Sequence, residues 1–299
     1  MEARGFRHRL TPSHTEVVAV YKRFYRWFPV FVLPTLAAFT IAFLIPFGMG
    51  VWLSFHRFTT VLNARFVGLE NYIRAFSDSG FTGAFAFSFA FTAVSLVTVN
   101  VLAFALALAL TRRMRGVNLL RGVFFMPNLI GGIVLGYVFS LLVNSLLGLW
   151  GVDITYAAAY GFWGLVALNT WQLTGYMMVI YIAGLQNVPP SLLEAASIDG
   201  AGAPAILWHV KLPLVRSSVT ICTFLTLTNS FKTFDQNLAL TAGAPERQTQ
   251  GLALDIYNTF YGRVGWQGVG QAKAVLFFLL VAVIAAAQLG LTRRGEVEG

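Results

Sequence analysis

Six apolar stretches, each long enough to cross a lipid bilayer, alternate with polar segments along the chain. They lie at residues 28–54, 82–110, 123–143, 160–184, 214–240 and 272–291. Because a membrane-spanning helix needs about 20 mostly apolar residues, the pattern predicts six transmembrane helices and an all-α integral membrane protein. We expect one membrane domain at residues 28–291, a polar segment at 1–27 and a tail at 292–299.

Composition agrees with this pattern. Hydrophobic residues make up 57% of the 299 residues, charged residues only 11%, and the mean hydropathy is +0.69, which is unlike a soluble domain. Residues 1–27 have no short apolar core with a cleavage site, so we expect no cleavable signal peptide. The single cysteine, Cys222, excludes a disulfide within the chain, and we expect it to be a small buried residue.

The net charge of +9 could indicate nucleic-acid binding, but the distribution of the charges indicates membrane topology instead. With the N-terminus placed in the cytoplasm, 14 lysines and arginines fall inside, 6 fall outside, and Lys232 lies within a span. This bias follows the positive-inside rule. It predicts that both termini and residues 185–213 are cytoplasmic, and it argues against a nucleic-acid partner.

The polar segment between the fourth and fifth spans carries signals for two short helices. Ser191 stands three residues before Glu194, which is the spacing of a capping box. Gly200 follows Asp199 and predicts a left-handed bend, while Pro204 suits the first turn of a second helix. We expect Pro213 to end that helix. The predicted unit is helix, glycine bend, helix, a shape suited to docking.

The same segment resembles the signature loop of permease subunits from binding-protein-dependent ABC importers. The resemblance rests on Glu194, Ala195, Ala196, Gly200, Leu212 and Pro213, on Val210 in place of Ile, and on Ile198–Ala201, which reads Ile-Asp-Gly-Ala. Phe66–Ile73 and Leu240–Pro245 are similar to outer-loop sequences of the sugar-type permeases, with Ala244 replacing a usual glycine.

The resemblance implies a type I importer permease fold in a bacterial or archaeal cytoplasmic membrane, with a coupling loop at residues 186–213. The implied partners are a second permease subunit, two ATPase subunits that bind ATP and Mg, an extracytoplasmic binding protein, a sugar and membrane lipid. The residues implied to contact the ATPase are Glu194, Ala195, Ala196, Asp199, Gly200, Ala201 and Pro213.

Polar residues in the fourth and fifth spans are the candidates for substrate binding. Thr226, Asn229, Ser230 and Thr233 recur at i, i+3, i+4 and i+7, which predicts one polar face on a helix. Such a face must contact other helices or a wet cavity. Hydroxyl and amide groups suit a neutral polyhydroxyl ligand. The resemblance to maltose-type permeases implies that these four positions, and Tyr176 of the fourth span, contact the sugar. Gln172 is a further candidate, because it lies one helical turn from Tyr176.

The motifs of several enzyme classes are missing from the sequence. None of the four lysines follows a glycine, so there is no P-loop, and the four histidines have no metal-ligand spacing. We therefore expect a transport subunit without its own ATPase activity or cofactor. Lys232 and Asp235 are three residues apart and are expected to pair on one helix face.

Two alternatives stay open. A self-contained secondary transporter or channel would need an ion-coupling site and would work without an ATPase. An importer permease for glycerol phosphate would favour cations near residues 226–233, where only Lys232 qualifies, and one for polyamines would favour acids, where only Asp235 does.

Overall fold

The computed structural model describes residues 28–112 and 114–293. The predictions for the N-terminal segment at 1–27, and for the tail beyond residue 293, lie outside this part of the chain.

Helix α1, Phe28–Ser54, starts at the first described residue and ends where the first predicted span ends. Up to Trp52 it belongs to a unit separate from the one that begins at Leu53. Its hydrogen bonding widens to a π-helical turn at Thr40–Leu44. Phe39, Phe43 and Phe47 stack along one side, with ring centroids 5.1 and 6.1 Å apart.

The second unit opens with a short ribbon and two helices. Strands β1, His56–Arg57, and β2, Arg65–Phe66, pair in antiparallel register, with His56 opposite Phe66. Helix α2, Glu70–Ser77, follows and lies between the first and second predicted spans. Helix α3, Ser79–Leu110, is the second span, and the Asp78 side chain caps it by accepting a hydrogen bond from the Gly80 N–H.

The prediction that the third span, residues 123–143, is a single helix is wrong. Helix α4, Val117–Leu129, ends inside the apolar run, and helix α5, Gly132–Leu147, begins after a break at Ile130 and Gly131. Ile130 is extended there, and the glycines favour a change of direction. Pro127 lies in the last turn of α4.

Helix α6, Ala158–Gln186, is the fourth span. Helix α7, Pro190–Ile198, and helix α8, Ala203–Leu214, form the coupling loop. Helix α9, Arg216–Phe231, leaves the coupling loop at a bend of 73°.

The fifth predicted span, 214–240, is also wrong as one helix. Helix α9 ends at Phe231, residues 232–234 connect, and the short helix α10 runs over Asp235–Leu240. The connection is tied by hydrogen bonds from the N–H of Lys232 to the Asn229 carbonyl, 3.1 Å, and from that of Thr233 to the Ser230 carbonyl, 3.3 Å.

Two more helices complete the chain. Helix α11, Leu252–Gly262, lies between the fifth and sixth predicted spans, and helix α12, Gln267–Arg293, contains the sixth span. Within the described residues five helices are long and apolar enough to cross a membrane, or six if the bent pair α8 and α9 counts as one span. Positive φ falls on Ala242 and Gly243 and not on Ala244, so alanine at 244 carries no left-handed strain.

The main core lies where α3, α6 and α9 meet. Ala103 and Ala107 of α3, and Met177 of α6, are fully buried there beside Cys222, which confirms the prediction for the cysteine. Gly175 brings α6 against the backbone of α4: an added Cβ would stand 1.9 Å from the Phe124 carbonyl oxygen. This contact fixes where the polar side chains of α6 lie relative to α4.

A buried ionic cluster joins α11 and α12 to the start of α3. The ammonium group of Lys273, a side chain with no exposed surface, donates to Asp78 at 2.7 Å, Asp255 at 2.7 Å and Thr259 at 2.8 Å. Arg263 also donates to Asp78, at 3.0 Å. Burial acts to raise the pKa of Asp78, but Lys273, Arg263 and the Gly80 N–H together hold it below its ordinary value.

Candidate functional site

A polar cavity of about 300 Å³ lies between α6 and the broken end of α9, and α4 and α10 complete its wall. Its volume is at the lower end of the range of small-molecule pockets, about 300–1,000 Å³. The lining side chains are mostly amides and other polar groups: Asn128, Asn169, Gln172, Leu173, Asn229, Lys232, Thr233, Phe234, Asp235 and Gln236.

The break between α9 and α10 makes this cavity possible. It ends the regular helix at Phe231 and lets residues 232–234 line the space with irregular backbone. Inside a bilayer such backbone is tolerated only where it is buried in protein or faces water. Gly132 and Gly136 let α5 approach α10 closely, since a Cβ at Gly136 would stand 2.7 Å from the Ala239 Cβ. This packing sets the position of α10.

Three of the amides in the wall are held by hydrogen bonds to neighbouring side chains. Gln236 donates to the Gln172 side-chain oxygen at 2.6 Å, which joins α10 to α6 across the cavity. Asn169 donates to the Ser230 hydroxyl at 3.2 Å. These contacts orient the amides before any ligand is present.

Other amides keep free hydrogen-bonding capacity. Asn229 is exposed and donates to the Leu225 carbonyl of its own helix at 2.8 Å; its side-chain oxygen has no partner in the described part of the chain. The Asn128 amide likewise makes no hydrogen bond with any described residue. The cavity therefore offers both donors and acceptors to a ligand.

The two charged residues of the wall do not pair as the sequence predicted. Lys232 lies beyond the last turn of α9, whereas Asp235 begins α10, so the two are not on one helix face. Within the described residues neither takes part in a salt bridge. One cation and one anion leave the cavity wall with no net formal charge.

The six predicted substrate residues separate into two groups. Gln172, Asn229 and Thr233 line the polar cavity. The other three point into helix contacts: the Thr226 hydroxyl accepts from Asn100 at 3.2 Å, Ser230 accepts from Asn169, and Tyr176 meets Phe125 with ring centroids 6.4 Å apart.

The prediction of a single polar face is wrong, because the helix ends before Thr233 is reached. Thr226 and Ser230 are buried on the packed side of α9, whereas Asn229 is exposed.

Sequence reasoning missed three of the amide residues of the wall. Asn128, Asn169 and Gln236 are not among the residues predicted to contact the substrate. Asn128 follows Pro127 and Gln236 follows Asp235, but no local pattern connects either one with residue 172.

The coupling loop has the predicted order of helix, bend and helix. Gly200 adopts φ +80°, a left-handed conformation that favours glycine, and Pro204 lies in the first turn of α8. The prediction of a capping box at Ser191 is wrong. Helix α7 begins at Pro190, so Ser191 is already inside the helix and its hydroxyl makes no capping hydrogen bond. Glu194 is exposed and has no side-chain partner in the described residues.

The prediction that Pro213 ends the second helix is wrong. Helix α8 passes through Pro213 to Leu214 and bends only at Val215. A π-helical turn at Leu207–Lys211 precedes the proline. The wider turn changes which carbonyl would face the proline ring, so the helix continues without the usual clash.

The face of the coupling loop that is open to a partner contains most of the predicted contact residues. The exposed ones are Glu194, Ala195, Asp199, Gly200 and Pro213, while Ala196 and Ala201 are half-buried. Ile198 is 85% exposed, and Trp208 of α8 is 65% exposed. Exposed large apolar side chains beside a glycine bend are typical of an interaction surface.

The coupling loop connects directly to the polar cavity. It starts at the end of α6, which carries Gln172, and it ends at the start of α9, which carries Asn229. Near the coupling loop these two helices are in close contact, because a Cβ at Gly184 would stand 2.1 Å from the Ser218 hydroxyl. The coupling loop is therefore continuous with one helix from each of two walls of the cavity.

Nothing in the described residues has the donor set of a metal centre. No group of three or more His, Cys, Asp or Glu side chains lies together in that part of the chain.

Comparison with known proteins gives consistent similarities. The sequence model of the family described as binding-protein-dependent transport system inner membrane component matches residues 118–295. A probable starch degradation products transport system permease protein from Thermoanaerobacterium thermosulfurigenes is 39% identical, over 91% of this chain and 96% of the relative. An sn-glycerol-3-phosphate transport system permease protein from Yersinia pestis is 30% identical, over 90% of this chain and 95% of the relative.

Among solved structures, a chain of a bacterial ABC transporter involved in the import of the acidic polysaccharide alginate is similar, with a TM-score of 0.77 and 17% identity. The match covers 92% of this chain and 99% of that one. At this identity the likeness shows the fold, and it confirms the predicted all-α permease architecture.

Proposed function

Since the chain belongs to the inner membrane components of binding-protein-dependent transport systems, we propose that it forms half of the pathway by which an ATP-driven importer takes up a neutral sugar. The ligand class is an oligosaccharide or a polyol. The relative that transports starch degradation products supports this class, because it is 39% identical along almost its whole length.

The observation that carries the proposal is the chemistry of the polar cavity. Its wall presents the amides of Asn128, Asn169, Gln172, Asn229 and Gln236, and its two charges are opposite in sign. Amides donate and accept hydrogen bonds without requiring a charged ligand, as sugar hydroxyls do. Because Asn229 and Asn128 have free capacity, we assign them, with Gln172 and Thr233, to direct ligand contact. The roles of Tyr176, Thr226 and Ser230 in ligand binding stay predictions.

The proposed mechanism is alternating access. A binding protein delivers the sugar on the outer side, a second permease subunit forms the other half of the pathway, and two ATPase subunits bind ATP and Mg in the cytoplasm. Both termini and the coupling loop are then cytoplasmic, as the charge distribution predicts. Closure of the ATPases on the exposed face at Glu194, Ala195 and Gly200 moves α6 and α9 together, which opens or closes the polar cavity.

A second candidate ligand is glycerol phosphate. It is favoured by Lys232 in the cavity wall and by the 30% identical relative that transports this compound. Asp235 in the same wall opposes it, because a fixed carboxylate repels a phosphate.

The test uses the purified complex of this chain with its partner subunits and binding protein, and measures which ligands stimulate ATP hydrolysis. We expect neutral oligosaccharides to stimulate and glycerol 3-phosphate or polyamines not to. Asn229→Ala removes about one hydrogen bond to the ligand, so the half-saturating sugar concentration should rise about three- to tenfold.

Lys232→Gln distinguishes the two ligand classes. It should leave stimulation by a neutral sugar nearly unchanged, whereas it should abolish stimulation by a phosphate ester. Stimulation by glycerol 3-phosphate alone, lost in Lys232→Gln, refutes the neutral-sugar assignment.

A further inference from the structure

A second cavity, of about 470 Å³, lies between the coupling loop and the ends of α3 and α6 that adjoin it. Its walls are mainly apolar and include Leu108 of α3, Leu185 of α6, and Leu193 and Leu207 of the coupling loop. Its volume is well within the range of pockets that hold an organic ligand. It shares no residue with the polar cavity.

Among the described residues, the charged ones that line this cavity are two cations, Arg112 and Lys211. Arg112 is exposed just after α3, and Lys211 is half-buried in the π-helical turn of α8. Neither side chain has a hydrogen bond or ion pair with any described residue. A cavity with apolar walls and two unneutralised cations is complementary to an anion that carries an apolar chain.

We propose that this cavity binds an anionic phospholipid of the cytoplasmic leaflet, with its phosphate between Arg112 and Lys211 and part of an acyl chain against the leucines. The proposal rests on the proposed function for the cytoplasmic placement of the coupling loop. Basic pockets between helices on the cytoplasmic side of a membrane are suited to the headgroups of anionic phospholipids. The cytoplasmic leaflet contains such lipids.

A lipid bound in this way contacts both the end of α3 and the coupling loop. Arg112 belongs to the end of α3, whereas Lys211, Leu193 and Leu207 belong to the coupling loop. Occupancy therefore holds the coupling loop against α3 and the adjoining end of α6. We expect the bound lipid to raise the fraction of ATP hydrolysis that is coupled to sugar.

The test places the importer complex in nanodiscs of phosphatidylcholine that contain increasing fractions of phosphatidylglycerol. The first readout is phosphatidylglycerol retained by the complex, measured by native mass spectrometry, and the second is ATP hydrolysis with and without sugar. Each charge contributes about 1 kcal/mol, so Arg112→Gln or Lys211→Gln should weaken retention about fivefold and the double variant about thirtyfold.

Arg115→Gln is the matched control. Arg115 is exposed in the turn three residues after Arg112, but it does not line the cavity. This variant should retain phosphatidylglycerol as the wild type does. Unchanged retention in the double variant, or equal loss in Arg115→Gln, overturns the proposal.

Two further outcomes are informative. If inorganic phosphate restores coupling in pure phosphatidylcholine nanodiscs, the site takes a free anion and the lipid assignment is wrong. If retention depends on Arg112 and Lys211 while no sugar stimulates hydrolysis, the lipid site stands and the proposed function fails instead.

Discussion

Replacing Lys273 by methionine should strongly destabilise the protein. The Lys273 ammonium is completely buried and donates to two carboxylates and one hydroxyl within 2.8 Å. Without it, Asp78 keeps Arg263 and the Gly80 N–H, but Asp255, which is 1% exposed, keeps among the described side chains only a 3.1 Å hydrogen bond from Gln250. Removing one partner of a buried pair costs about 3–5 kcal/mol. The loss should come mainly from Asp255.

A fluorescence-detected thermal unfolding assay in detergent measures this loss. We expect Lys273→Met to lower the unfolding temperature by about 10 °C. Adding Asp255→Asn to Lys273→Met removes the unpaired charge and should recover more than half of the loss. Lys232→Met, at an exposed lysine with no ion pair in the described residues, is the control and should change stability by less than about 0.5 kcal/mol. Equal stability of Lys273→Met and Lys232→Met refutes the reasoning.

Three other substitutions test the fold and the coupling loop. Gly200→Val forces a β-branched residue to φ +80° and should leave the chain in the membrane but separate ATP hydrolysis from sugar uptake, whereas Gly200→Asn tolerates that conformation and should stay coupled; wild-type uptake by Gly200→Val contradicts this role. Gly175→Ala places a Cβ against the Phe124 carbonyl and should cost about 1–3 kcal/mol in the same unfolding assay, while Gly83→Ala, with open space around its Cβ, should be neutral or slightly stabilising. Because the pKa of Asp78 is lowered from 3.8, its ion pairs stabilise the fold above that pH and are lost as the pH falls below it; Asp78→Asn should remove this part of the acid dependence of unfolding, and an unchanged acid profile argues against it.

Local pattern was sufficient where one physical effect decides the structure. The apolar run at 28–54 is helical throughout, and the run and the helix both end at residue 54, because length and hydropathy alone set a lipid-spanning helix. Gly200 shows the same principle, since a glycine after a short helix favours the left-handed bend observed there.

Breaks within apolar runs could not be predicted in this way. The end of α9 at Phe231 has no glycine or proline to mark it, and the polar residues that recur from Asn229 to Asn237 do not by themselves fix where the helix stops. It depends on tertiary contacts, including the hydrogen bond between Gln236 and Gln172 and the close approach of α5 to α10. At Pro213 a strong local signal gave a wrong prediction. The proline predicts a helix end, but a π-helical turn precedes it and the helix continues, and no sequence pattern indicates that turn.

The candidate site was predictable only in part. Gln172, Asn229 and Thr233 were found because polar residues in apolar spans must contact something other than lipid. Asn128 and Gln236 come from helices α4 and α10, which the sequence had merged into longer spans. Their meeting across 108 residues of sequence is a property of the packing, so no spacing rule could have joined them.

Transport of a radiolabelled neutral oligosaccharide into proteoliposomes tests the central claim most directly. The vesicles contain this chain with its partner permease, with or without the two ATPase subunits, and receive binding protein on the side opposite the ATPase sites. We predict accumulation only when ATPases and ATP are both present, and loss of accumulation in Gly200→Val. Accumulation without ATPase subunits, driven by an ion gradient, would contradict the account and favour a secondary transporter.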